Sequence, residues 1–232
     1  MKKIIIAIDG YASTGKSSLA KQLSLHLNYI YVNSGSMYRA IAFFALKNGI
    51  APLNKENIDC LINLLPEIKL DYRINDLTGL SEIYLNNKNI EAEIKTLEVS
   101  EYVSLVAEIS EIRKFVVKIQ KSFQSTNGLV MDGRDIGSVV FKNASIKLYI
   151  DVDVNIRAKR RHKQLIDMGE KSIYPQILKD IKLRDKKDKS RKNSPLVIPE
   201  GAYVVDNSSK FSITQNQLNI IIGKYINGKY WN

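Results

Sequence analysis

Eight residues near the start constrain this chain more than any others. Gly10-Tyr11-Ala12-Ser13-Thr14-Gly15-Lys16-Ser17 satisfies the pattern G-x-x-x-x-G-K-[ST] at every fixed position. Before it, Lys3-Ile4-Ile5-Ile6-Ala7-Ile8 is a β-branched run too short for a helix, which is how a strand buried on both faces of a parallel sheet reads. After it, Leu19, Ala20, Leu23, Leu25 and Leu27 roughly follow helical spacing. In that setting the glycines let the backbone close round phosphate groups, successive N–H groups point inward, and the positive end of the helix favours an anion. The segment from Gly10 to Ser18 is therefore expected to cradle a polyphosphate, with Lys16 reaching the β- and γ-phosphates and Ser17 holding Mg²⁺. A GTPase would also carry an Asn-Lys-x-Asp motif, and the nearest string, Asn54-Lys55-Glu56-Asn57, lacks the Asp.

The rest of the chain alternates strand and helix patterns. Tyr29 to Val32 reads as a second strand, followed by helices at about 36–46 and 55–65. Residues 67–90 change character: Ile68-Lys69-Leu70-Asp71-Tyr72-Arg73-Ile74 alternates apolar and polar, predicting short antiparallel strands around Asn75-Asp76-Leu77-Thr78-Gly79. Helices are expected at 96–109 and 111–123, buried strands at 129–132 and 146–151, helices at 153–169 and 173–190, a last strand at 202–205 and a closing helix at 212–225. This order indicates α/β architecture around a parallel sheet.

The net charge of +11 makes nucleic acid the first partner to consider. Its distribution points elsewhere. Residues 157–192 hold 14 Lys or Arg against 5 Asp or Glu, so most of the surplus lies in one stretch, as a local polyanion site would require. Single-strand binding would also want aromatic side chains among those charges, and Tyr174 is the only one there. No apolar run approaches the roughly 20 residues needed to cross a bilayer, and Met1-Lys2-Lys3-Ile4 leads into a strand rather than a signal peptide, so a cytoplasmic protein is expected. Cys60, the single cysteine, excludes an internal disulfide and reads as a small apolar helix residue, while His26 and His162 are too scattered for a histidine metal site.

Asp132-Gly133-Arg134-Asp135 follows an apolar strand and should emerge at the carboxyl end of the sheet, beside the phosphate loop. Asp132 stands where a second Mg²⁺ carboxylate belongs, and Arg134 is placed to meet a phosphate. Together with Ile8-Asp9-Gly10, Ser34-Gly35-Ser36-Met37-Tyr38-Arg39, Met131 to Gly137, and Arg184-Asp185-Lys186-Lys187-Asp188-Lys189-Ser190-Arg191, this tetrapeptide resembles bacterial cytidylate kinase in order and spacing, over essentially the whole chain.

That resemblance implies a P-loop kinase fold, with a five-stranded parallel sheet flanked by helices. It implies one domain, its core at 1–35, 126–152 and 200–232, a monophosphate-binding arm with a small antiparallel β insertion at about 36–125, and a helical lid at about 153–192. It implies ATP and Mg²⁺, with CMP or dCMP as acceptor, and a monomer with neither nucleic-acid nor membrane partners. Ser34, Arg39, Arg134 and Arg191 correspond to the holders of the acceptor phosphate, Ser104, Arg113 and Asp135 to the cytosine readers, and Arg184 and Asp188 to the pair near the ribose. Arg157, Arg160 and Arg161 fall in the lid; Arg157 and Arg161, four apart on one helix face, are the favoured phosphoryl contacts, whereas Arg160 is balanced between the lid role and a solvated face. The chain departs from the family pattern at Tyr11, usually Pro, at Ser13, often Gly, and at Asn33, usually Asp. Thymidylate, guanylate or shikimate kinases and a non-catalytic nucleic-acid-binding module are the alternatives.

Overall fold

The structure, a computed structural model, describes residues 4–51, 53–124, 128–209 and 211–226. In chain order its elements are β1 (Ile5–Gly10), α1 (Lys16–Leu27), β2 (Ile30–Asn33), α2 (Ser34–Lys47), α3 (Lys55–Leu64), β3 (Leu70–Ile74), β4 (Ser81–Leu85), β5 (Lys88–Asn89), α4 (Leu97–Val106), α5 (Ser110–Ser122), β6 (Leu129–Gly133), β7 (Ile146–Asp151), α6 (Val154–Asp167), α7 (Tyr174–Ser190), β8 (Tyr203–Asp206) and α8 (Phe211–Gly223). The larger sheet has five strands in the order β2-β6-β1-β7-β8. The expected first strand begins at Lys3, and the third helix was expected just after Pro52; both residues lie outside the described ones.

The chain divides into two units, Met1–Tyr29 with Gly128–Asn232, and Ile30–Asn127. In the first, β1 pairs in parallel with β6 and with β7, and β7 in parallel with β8. Ile6 and Ile8 of β1 and Val130 and Met131 of β6 are buried, as the unbroken apolar runs require of strands covered on both faces. α1 covers the sheet with Leu19, Ala20, Leu23 and Leu27 and ends where Asn28 turns left-handed at φ +54°. The register sets Ile8 opposite Asp132 and Gly10 opposite Ile150, so the phosphate loop and the Asp132–Asp135 segment leave the sheet at the same edge. β7 passes into α6 through Asp153, whose carboxylate accepts from the Asn155 and Ile156 N–H groups. The expected lid segment falls in this unit as α6 and α7.

The second unit carries the antiparallel insertion, a three-stranded sheet in the order β3-β4-β5. Asn75 shapes the first turn by accepting from Leu77 N and Thr78 N. The second is a two-residue hairpin, Asn86-Asn87, with φ of +48° and +67° at the two residues, the form that matches strand twist. α2 starts on Asn33, whose side chain accepts from Ser36 N at 2.9 Å. Cys60 lies in α3 as expected of a helix residue, but it is exposed rather than part of an apolar contact.

Candidate active site

The phosphate loop is held from several directions within the first unit. β1 delivers it at Gly10, φ +149°, where a Cβ would collide with the Ile150 carbonyl oxygen. Inside the loop the Tyr11 carbonyl accepts from Thr14 Oγ1 at 3.1 Å and from Lys16 Nζ at 2.7 Å. Asn207, just past β8, donates Nδ2 to the Thr14 carbonyl at 2.7 Å and accepts from Thr214 Oγ1 at 2.8 Å. α1 then begins with no side-chain cap on its first N–H groups, which suits them to an anion.

Lys16 is buried. Burial first, and the charge of Arg134 second, push its pKa well below the usual lysine range, against the opposing charges of Asp132 and Asp188. A polyphosphate entering the loop brings the negative charge this ammonium lacks. Ser17 Oγ donates to Asp132 Oδ2 at 2.7 Å. A hydroxyl and a carboxylate are hard oxygen donors of the kind Mg²⁺ accepts. Among the described residues no cluster of three or more His, Cys, Asp or Glu is placed to hold a metal ion.

Opposite the lysine stands an arginine cluster organised by one carboxylate. Asp188 Oδ2 accepts from Arg134 Nε at 2.9 Å, and Oδ1 lies 3.0 Å from Arg191 Nη2. Burial raises the Asp188 pKa, but the charges of Arg134, Arg191 and Arg184 outweigh it and hold the carboxyl below the usual range. Asp135 is buried next to Arg134. Asp9, fully buried, accepts from Ile136 N at 2.8 Å and Gly137 N at 2.7 Å, tying the end of β1 to a π-helical turn, Ile136–Val140, that follows Asp135.

Arg157 and Arg161 share α6 but not an environment. Arg157, 3% exposed, takes Asp185 bidentately at 3.0 and 2.6 Å, gives Nε to the Val152 carbonyl, and reaches the Ala12 carbonyl at 3.4 Å. Arg161 donates Nη1 to Gln164 Oε1 on its own helix at 2.9 Å, with burial lowering its pKa. Arg160, for which a solvated face competed, donates Nη2 to the Asn207 carbonyl at 2.7 Å. A cleft of about 610 Å³ opens beside the loop, lined by Tyr11, Arg157, Asp185, Lys186, Lys189 and Ser190.

The remaining expected substrate contacts belong to the second unit. Ser34 opens α2 and is buried. Arg39 donates Nη1 to Ser100 Oγ at 2.8 Å and to the Ile94 carbonyl at 3.3 Å. Arg113, on α5, donates to the Ala107 carbonyl at 3.1 Å with its guanidinium 5.5 Å from the centre of the Tyr38 ring, and Ser104 is half-buried on α4. Asn33 braces this arm: besides capping α2 it donates Nδ2 to Tyr31 Oη at 3.0 Å, and its carbonyl accepts from Tyr72 of the insertion at 2.6 Å. Asp9, Asp185 and Tyr72 lie within segments read above for other features and Asn207 lies in none; the sequence assigned no role to any of the four.

A Gly-rich loop with its lysine, a Ser–Asp pair suited to Mg²⁺, and a carboxylate-organised arginine cluster at one end of a parallel sheet define a P-loop phosphotransferase. Residues 6–225 match the family model described as cytidylate kinase. The cytidylate kinase of Flavobacterium johnsoniae is 47% identical over 208 residues, covering 90% of each chain. That of Flavobacterium psychrophilum is 48% identical over 90% of this chain and 92% of its own. A crystal structure of an uncharacterized protein from Eubacterium ventriosum shares the fold at 15% identity, with a TM-score of 0.50 and coverage of 96% of this chain and 99% of its own. The chain belongs to the cytidylate kinase family.

Proposed function

We propose that this protein transfers the γ-phosphoryl group of ATP to CMP or dCMP, giving ADP and CDP or dCDP. The observation that carries the reading is the link from donor to acceptor chemistry inside one unit: Asp188 gathers Arg134 and Arg191, and the charge of Arg134 is felt at Lys16.

Phosphoryl transfer needs little covalent work from a protein, so alignment and charge neutralisation supply the rate. The loop amides and Lys16 hold the β- and γ-phosphates of ATP. Ser17 and Asp132 hold Mg²⁺, which when bound neutralises charge on the phosphate oxygens. Arg134 and Arg191, with Ser34 and Arg39 of the arm, receive the acceptor phosphate, because guanidinium forks match its oxygens bidentately. Arg184 and Asp188 serve the ribose. Asp135 accepts from the cytosine N4 amino group, with Ser104 and Arg113 reading the rest of the ring; UMP lacks that donor and would leave a buried carboxylate unpaired. Arg161 is the lid arginine that swings over the transferring group, since Arg157 is committed elsewhere. The protein acts in the cytoplasm as a monomer on small molecules, without a nucleic-acid or membrane partner.

A coupled ADP-release assay with CMP, dCMP, UMP, dTMP, GMP and shikimate tests the assignment. Turnover confined to CMP and dCMP is expected; a preference for any of the last three would overturn it.

A further inference from the structure

α7 has two working faces. One carries Arg184 and Asp188, and through Asp188 it is bonded to Arg134 and to Arg191 just past the last turn. The other carries Asp185 and Lys189, and it is fastened to the phosphate loop. Asp185 grips the Arg157 guanidinium with both oxygens. Arg157 passes the grip on: Nε to the Val152 carbonyl where β7 enters α6, Nη1 to the Ala12 carbonyl, and the guanidinium plane 4.9 Å from the centre of the Tyr11 ring. Lys189 Nζ stands 5.6 Å from the same ring centre. The ring is anchored from behind by Tyr149 and Leu196, so the contact is made on a fixed surface.

An arginine that contacts a transferring phosphoryl group needs free N–H groups and uncompensated charge. Arg157 has neither. A buried ion pair is also a weak source of net stability, because desolvation offsets the attraction. What a bidentate fork supplies is direction. We propose that Asp185 is a positioning residue: by holding Arg157 against Ala12 and Tyr11 it fixes α7 relative to the phosphate loop, and so sets the spacing between the donor phosphates and the acceptor arginines that Asp188 holds on the adjacent face of the helix. This rests on the phosphotransferase reading above. It makes α7 a bracket between the two substrates, and it gives Tyr11, where the family usually has Pro, a role as the platform for the bracket.

The test uses the full-length enzyme and the variants Asp185→Asn, Asp185→Glu and Arg157→Lys. Measured are kcat and KM for both substrates, ATP hydrolysis without acceptor, and the melting temperature. Asp185→Asn keeps shape and loses the charge and one acceptor. Its kcat with CMP is expected to fall at least about tenfold, since a misplacement of about 1 Å costs that much or more in transfer chemistry. KM for ATP should change by less than about threefold, and acceptor-free hydrolysis should persist, because the loop's own contacts are intact. Asp185→Glu should recover part of the loss. If Asp185→Asn does not fold, Arg157→Lys, which keeps the charge and loses the fork, must show the same fall in transfer with hydrolysis retained. Transfer and hydrolysis falling together, a rise in KM for ATP alone, or wild-type kinetics with only a lower melting temperature would each overturn the proposal. A wild-type enzyme that ignores CMP and dCMP would instead sink the substrate assignment, and the transfer-to-hydrolysis ratio would then be read on the acceptor it does use.

Discussion

Ser17 and Asp132 meet through a 2.7 Å hydrogen bond that joins the first turn after the phosphate loop to the end of β6, 115 residues further along the chain. The parallel pairing of β1 with β6 makes the meeting obligatory, since it sets Ile8 beside Asp132. On the proposed reading, the pair orders a hydroxyl for Mg²⁺ ahead of the cation. Asp132→Asn keeps the shape but removes the charge. It should raise the Mg²⁺ concentration for half-maximal activity by about 10- to 100-fold, the usual effect of losing a residue that orients a metal ligand. Mg²⁺ titrations of both enzymes at saturating ATP and CMP check this, and superimposable curves would remove Asp132 from the metal site.

On the proposed reading, Lys16 is a group kept for chemistry at a cost to the resting fold. Its ammonium is buried beside Arg134, and its pKa is depressed for that reason. Lys16→Ala should lose about 100-fold or more in kcat, as removal of a charge aimed at a developing transition state does. It should not lower the melting temperature, because the substitution removes a desolvated cation. Arg134→Ala should also lose turnover, but with a modest fall in melting temperature, since Asp188 then loses its 2.9 Å Arg134 partner. Circular dichroism melts beside steady-state rates separate the two cases.

The loop and the succession of strands and helices were legible in the sequence because both are local signals: a linear motif, and apolar runs of strand length between helical patterns. The insertion was half legible. The Asn75–Gly79 turn stood out between alternating segments, but the Asn86-Asn87 hairpin did not, because its positive φ angles are carried by asparagines without the usual glycine. The candidate site was legible where a linear motif itself places the side chain, as with Lys16 or Ser17. It was illegible where a side chain's role depends on a partner that folding brings in. Arg157 and Arg161 are equivalent on a helical wheel, and only the arrival of Asp185, 28 residues later, separates them. The Asn207–Thr14 bond spans 193 positions, and no pattern in either segment announces it.

Ser13 is the departure whose effect is most easily isolated. It sits at φ +61°, in the left-handed region, at a position where the resemblance often has glycine. A side chain there costs about 1–2 kcal/mol, while glycine gives back about 0.5–1 kcal/mol through the freedom it adds to the unfolded chain. Ser13→Gly should therefore raise stability by up to about 1 kcal/mol without loss of kcat. Urea unfolding measures it, and a destabilised variant would mean that the Ser13 side chain makes a contact worth more than its strain.

Asp9 predicts a pH dependence whose sign follows from its burial. It is 0% exposed, and burial pushes its pKa up to about 7, against the Gly137 and Ile136 amides that pull it down; the charge of Asp135 adds to the rise and that of Lys16 opposes it. In the unfolded chain the group titrates near 3.8. Between about pH 4 and 7 the native state thus holds a proton that the unfolded chain has released, so this contribution to stability is fully present below pH 4 and is lost as pH rises through 7. The full loss is on the order of 4 kcal/mol. Asp9→Asn cannot titrate, and it sets an NH₂ group against one of the two backbone donors, so it should be less stable than wild type at pH 5. That difference should shrink markedly by pH 8, where the wild-type carboxylate has ionised in its buried setting. Urea unfolding of both proteins at the two pH values reads the change directly. A stability gap that stays constant would mean that the two amide bonds keep Asp9 ionised throughout, with burial outweighed rather than dominant.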